Sequence, residues 1–181
     1  MTSLEIGKMD KFSMHFYVQA VFGILGHPRK FFSELSPTIG MNQPLGLLVL
    51  SAVFFCAANL MNVRPHAFFL MGGIYLLNAV GMVFIMAALG YLVMTLSIGK
   101  KVPFVRLFGI YALCSGVTLL ISWVPYFVVL TEPWKWYLIG IGLTKGCGLK
   151  IKESILIIAL SLTVWILFYW ALIPIITPSG W

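Results

Sequence analysis

The chain has 181 residues, of which 61% are hydrophobic and only 9% are Asp, Glu, Lys or Arg, with a mean hydropathy of +1.01 and a formal net charge of +7. A soluble domain carries about 25% charged residues and could not hide this much apolar surface behind so few. The balance excludes a soluble globular domain, a disordered tail and a coiled coil, and leaves one all-α polytopic membrane domain.

Residues 1–43 read as a cytoplasmic segment carrying amphipathic interfacial helices. The first residues mix acids and bases and lack the pattern of a cleavable signal. Residues 12–25 are apolar but too short to cross a hydrocarbon core about 30 Å thick, so they are expected to lie along the membrane surface. Gly26-His27-Pro28 breaks that helix, and Pro28 suits the first turn of a second one with His27 near its cap. In this second helix Phe31, Phe32 and Leu35 are expected to face lipid, and Arg29, Lys30 and Glu34 water. Ser36-Pro37-Thr38 ends it.

A membrane domain over 44–173 follows, with spans expected at about 44–61, 67–98, 106–130, 133–145 and 153–172, and a short external tail at 174–181. Asn62 to His66 make a tight turn, and residues 67–98 carry no charge, which suits one long tilted helix. Gly99-Lys100-Lys101-Val102-Pro103 is a loop, and Pro125 lies near the far end of the third span. Thr131-Glu132-Pro133 reads as a turn and helix start: a cap, an acid and a proline. Residues 145–152 are a loop, and the fifth span starts at Glu153.

Charge sets the expected orientation. With the N-terminus inside, Lys8, Lys11, Arg29, Lys30, Lys100, Lys101, Arg106, Lys145, Lys150 and Lys152 lie inside, and Arg64 and Lys135 outside, ten against two. The fourth span is short. As a re-entrant segment it would move Lys145, Lys150 and Lys152 outside and reduce the bias to seven against five. Trp123, Tyr126, Trp134, Trp136, Tyr137, Tyr169 and Trp170 fall near outer ends, where amphipathic rings sit. The basic balance is thus explained by orientation and by attraction to anionic lipid, without nucleic acid. The expected location is a prokaryotic cytoplasmic (inner) membrane, N-terminus cytoplasmic and C-terminus external.

Groups for catalysis are scarce, because the spans hold no Asp, Glu, Lys or His away from their ends. His15, His27 and His66 lie in three separate places with no cysteine or acid at ligand spacing, so no metal site is expected. Cys56 and Cys114 sit in apolar runs as small hydrophobes, Cys147 sits in a polar loop, and no CxxC occurs. No nucleotide, hydrolase or metalloprotease motif is present, so no catalytic residue and no cofactor is expected. Asn59 and Asn78 are candidates for interhelical hydrogen bonds or for the lining of a neutral solute path. Ser115, Thr118, Ser122, Ser161 and Thr163 are expected to bond carbonyls of their own helices. Ala112-xxx-Gly116 and Gly142-xxx-Gly146 permit close helix approach, within one chain or between two. Lys100, Lys101 and Arg106, and Lys150 with Lys152, either set topology or dock phospholipid head groups. Pro28, Arg29, Lys30, Phe31 and Phe32, with Lys100 and Lys101, are the expected lipid or partner contacts.

The ordered features resemble the prokaryotic branch of the Yip family of integral membrane proteins. Residues 20–172 carry the likeness: Phe22-Gly23-Ile24-Leu25-Gly26-His27-Pro28-Arg29-Lys30-Phe31-Phe32, then Pro44 and a first span. A basic loop, a third span ending Trp123-Val124-Pro125 and a short fourth helix from Trp136 to Leu143 follow. The resemblance implies a five-helix domain with a cytoplasmic N-terminus. The Asp-Leu-Tyr-Gly-Pro motif of eukaryotic members is absent, with Gln43-Pro44-Leu45-Gly46 nearby, so their association with Rab-type GTPases does not carry over. The expected function is a non-catalytic scaffold or accessory subunit of a membrane complex, or an organiser of membrane. Its partners would be anionic lipids and other membrane subunits or a second copy. The alternative is a channel or facilitator for a small neutral solute.

Overall fold

Two of the helices take the lengths their apolar runs dictate. The computed structural model describes residues 13–36, 39–61, 68–99, 102–122, 124 and 127–176, and over them it is all-helical, with no strand. Seven helices follow one another: α1 (Met14–Gly26), α2 (Pro28–Glu34), α3 (Asn42–Leu60), α4 (Phe68–Val93), α5 (Phe104–Leu119), α6 (Val128–Ile141) and α7 (Ile151–Ile176). α3, and α4 with the turn that extends it to Ile98, are long and apolar enough to cross a membrane.

α5 is the centre of the bundle. Every residue from Leu107 to Thr118 is buried, so this helix is enclosed all round rather than on one stripe. Its small residues let neighbours approach closely. A methyl group on Gly109 would touch Pro44 of α3, and one on Gly116 would meet Leu47 and the backbone of Leu48. Gly142, at the end of α6, lies against Ile110 of α5 and Phe32 of α2. Both small-xxx-small pairs therefore serve packing within the chain. The outside is apolar instead: Phe69, Leu77 and Leu92 of α4, Val53 of α3 and Leu167 of α7 are exposed. Only lipid or another membrane helix covers such a surface.

α3 and α5 run in the same direction, as Pro44 with Gly109 and Leu48 with Gly116 show, while α4 and α6 run opposite to α5. One end of the bundle thus gathers the starts of α3, α5 and α7 with the ends of α4 and α6. It also gathers Arg29, Lys30, Arg106, Lys145, Lys150 and Lys152, and is called the basic end here.

Two helices end at the basic end in a widened π turn, Met94–Ile98 after α4 and Gly142–Gly146 after α6. Each contains a threonine whose hydroxyl donates back along its own helix: Thr95 to the carbonyls of Tyr91 and Leu92, Thr144 to those of Gly140 and Ile141. A side-chain donor competing for these carbonyls favours the wider turn. Gly99 at φ 68° and Gly148 at φ 64° then turn the chain through the left-handed region that glycine enters without cost.

Two expectations are corrected. The third span was expected to run to residue 130, but α5 stops at Leu119, and residues 120–122 and 127 are in turns. Thr131-Glu132-Pro133 lies inside α6 rather than before it. The turn closes through short bonds from the Ile121 N–H to the Thr118 carbonyl, Val124 to Ile121 and Phe127 to Val124. Proline at 125 disfavours helix at Val124, so the break precedes that proline rather than following it.

The second correction concerns α2. Pro28 occupies its first position and His27 its cap, as expected, but Phe31, Phe32 and Leu35 are buried and do not face lipid. Phe32 packs towards Gly142, and Phe31 lies in the crook of α1 against Gly23. α1 leans on the bundle through Phe16, Ala20 and Ile24, and the Tyr17 hydroxyl meets the Ser51 hydroxyl of α3 at 3.3 Å. The arm is docked because its apolar face finds a ready apolar partner in α5 and α6.

Candidate functional site: a basic groove and an inner cavity

At the basic end a groove of about 880 Å³ opens between α6 and α7. Four elements supply its cations. Arg29 comes from the exposed face of α2, Lys145 from the π turn, Lys150 from the loop and Lys152 from the first turn of α7. The trough beyond them is apolar and aromatic, with Trp136, Tyr137 and Ile141 on α6 and Ile155 and Ile158 on α7. Ser154 lies in the wall, 2% exposed, and its hydroxyl has no hydrogen-bond partner among the described residues. A buried polar group without a partner costs about 1–3 kcal/mol.

The groove's shape follows from local chemistry. Glu153 accepts a hydrogen bond from the Lys150 N–H at 2.8 Å, tying its carboxylate to the start of α7. The Leu149 N–H reaches back to the Leu143 carbonyl at 3.3 Å and folds the loop under α6. Cys147 sits in this loop beside Arg106; burial pushes its thiol up to about 11, while the guanidinium works in the opposite direction.

A second cavity of about 550 Å³ lies away from the basic end, between α4, α5, α6 and α7. Asn78, Met82 and Met86 line it from α4, Tyr111, Ser115 and Thr118 from α5, Trp136 and Ile139 from α6, and Leu162 and Trp165 from α7. Glu132 and Lys135 lie at one side, paired at 2.7 Å. Tyr111 is 1% exposed, and its hydroxyl has no partner among the described residues. Beyond it the seam of α4 and α5 is filled by rings, Phe84 stacked on Phe108 with centroids 4.3 Å apart and Tyr91 edge-on to Phe104.

The structure separates the residues singled out in the sequence. Arg29 reaches the groove; Lys30 is exposed beside it and does not line it; Pro28 starts α2; Phe31 and Phe32 are buried. Lys100 and Lys101, with the turn at 62–66, Trp123 and Tyr126, lie outside the described residues. Asn59 donates to the Phe55 carbonyl of its own helix at 2.8 Å, while Asn78 lines the inner cavity. Thr118, Ser122 and Thr163 bond carbonyls of their own helices as expected, but the Ser161 hydroxyl has no partner among the described residues. Sequence reasoning missed Tyr111, Trp136 and Ser154 as lining groups. Their spacing is that of ordinary buried helix faces, and only packing shows the gaps beside them.

The Yip1 domain family model matches residues 22–173. No curated protein and no solved structure matches the chain.

Proposed function

The chain belongs to the Yip1 domain family of membrane proteins, and from that premise we propose that it is a non-catalytic membrane scaffold that holds anionic phospholipid at the basic groove. In this reading five helices, α3 to α7, cross the cytoplasmic (inner) membrane with the basic end on the cytoplasmic side. A phospholipid then lies with its head group among Arg29, Lys145, Lys150 and Lys152 and its chains along Trp136, Ile155 and Ile158. The observation that carries the reading is the continuity of one cationic rim with one apolar trough, the two halves of a phospholipid. Because Arg29 comes from α2 and the lysines from the segment after α6 and the start of α7, a bound lipid ties the N-terminal arm to the bundle and presents one face to other subunits.

The test is lipid retention. Protein purified in mild detergent from its native membrane is expected to carry anionic phospholipid in preference to zwitterionic, in native mass spectra and in extracts. Lys150→Gln with Lys152→Gln should remove that preference, and co-eluting chains would name the complex it serves. Retention of zwitterionic lipid equal to anionic overturns the reading. The rival, a facilitator of a neutral solute, rests on Asn78 beside the inner cavity. Flux in proteoliposomes that is lost in Asn78→Leu would replace the lipid reading with it.

A further inference from the structure

The inner cavity has a chemistry that the basic groove does not share. We propose that it binds an uncharged amphipath bearing a hydroxyl group, an alcohol with an apolar body such as a diacylglycerol.

Its volume, about 550 Å³, falls in the range of small-ligand sites, which are mostly apolar with a few placed polar groups. Met82, Met86 and Trp165 supply the apolar walls, adaptable thioethers beside a ring. The polar groups form a ladder on α5, Tyr111, Ser115 and Thr118, at spacings that place them on one helix face.

The ladder selects the ligand at Thr118. Its hydroxyl donates to the carbonyls of Cys114 and Ser115 at 3.2 and 3.0 Å, so its oxygen is left as an acceptor only. Tyr111, two turns away, turns its hydroxyl against Gly90 of α4. A ligand hydroxyl can donate to Thr118. An ester or ketone accepts only, and an alkane does neither. Charge is selected against as well. Glu132 and Lys135 are the only acid and base lining the cavity among the described residues, and they neutralise each other at 2.7 Å. A charged ligand would lose its hydration without a free counter-charge.

The experiment uses the full chain in detergent and the fluorescence of Trp136 and Trp165, which bromine quenches. Omega-bromoundecanol is expected to quench saturably, with unbrominated undecanol reversing it, and both bromoundecane and omega-bromoundecanoate at least tenfold weaker. Thr118→Val should weaken the alcohol by about tenfold, the worth of one hydrogen bond to a buried group. Ser115→Leu, which narrows the cavity, should weaken the saturable quenching. Equal quenching by the bromoalkane would overturn the proposal in favour of a merely apolar void, and equal quenching by the carboxylate would overturn neutrality. Should either variant fail to fold, the wild-type comparison of the three probes still decides. Brominated dioctanoylglycerol in place of the free alcohol tells a lipid source from a soluble one: tighter binding assigns the site to a membrane lipid. These outcomes are independent of the anionic-lipid test, because that test reads the opposite end of the bundle.

Discussion

Gly116 of α5 and Leu48 of α3 approach so closely that a methyl group on the glycine would stand 3.3 Å from the Leu48 Cα, with Leu47 closer still. A backbone atom cannot swing aside as a side chain can. Gly116→Ala is therefore expected to part the two helices and cost about 1–3 kcal/mol. Gly73 and Gly81 of α4 have no atom within 4 Å of the same position. Gly81→Ala should be neutral or stabilising by up to about 1 kcal/mol, from helix propensity alone. Thermal unfolding midpoints in one detergent check the contrast, and an equal shift in both variants would refute the close approach.

The docked arm gives a second prediction. Phe32 is 1% exposed and packs where α6 ends, next to Gly142. Truncating a buried ring costs about 3–5 kcal/mol. Here that loss falls mainly on the contact between arm and bundle. Phe32→Ala is expected to leave α3 to α7 inserted while the arm becomes open to protease near Ser36. Phe22, exposed on α1, should tolerate the same change. An arm equally protected in both variants would contradict the docking.

These two cases show what the sequence carried. Uncharged runs announce α3 and α4, since only continuous apolar lengths of this kind suit a bilayer. The amphipathic pattern of Arg29, Lys30, Phe31 and Phe32 announced a two-faced helix, but not what its apolar face meets. Lipid tails and the side chains of α5 and α6 are equally apolar, so composition cannot distinguish them. The end of α5 at Leu119 was hidden because the residues after it are as apolar as those before. The π turns leave no periodic signature, since Thr163 makes a similar back-bond inside α7 without widening it. Of the two cavities, only the cations of the groove were legible, because charge can be read one residue at a time whereas a gap in packing needs all its walls.

Cys147 gives a pH-dependent prediction. Burial pushes its thiol up to about 11, with Arg106 beside it opposing. The thiolate is the reactive form, so alkylation should be slow at neutral pH and quicken as pH rises towards that value. Arg106→Leu removes the opposing charge and is expected to slow it further. The linkage has the matching sign. The folded state holds the proton more tightly, so this contribution to stability is complete below the ordinary thiol value, about 8.5. It is lost as pH rises through the folded value. Iodoacetamide labelling followed by peptide mass analysis from pH 7 to 11 checks both, and fast labelling at neutral pH would refute the burial.

The groove's cations predict a salt-dependent affinity. Each Lys or Arg near an anionic membrane surface is worth about 1 kcal/mol, so Lys150→Gln with Lys152→Gln should weaken anionic lipid by about thirtyfold. Lys135, paired with Glu132 at the opposite end, should contribute nothing when changed. Because the four cations lie on an open groove, raising salt from about 0.1 to 1 M shortens the screening length from about 10 to 3 Å and should erase most of the difference.

Trp136 lines both the groove and the inner cavity, so its indole forms part of the partition between them, with the Lys135 ammonium 5.5 Å from its ring centroid. Removing it should have consequences at both sites. Trp136 is only partly buried, so Trp136→Ala is expected to join the two volumes at less than the roughly 3–5 kcal/mol of a fully buried ring. Trp136→Phe keeps most of the wall and should cost less. The fluorescence assignment follows. A brominated anionic lipid in the groove should quench Trp136, and in Trp136→Phe that quenching should fall away, while a brominated alcohol still quenches through Trp165. Lipid quenching undiminished in Trp136→Phe would place the bound lipid elsewhere on the bundle.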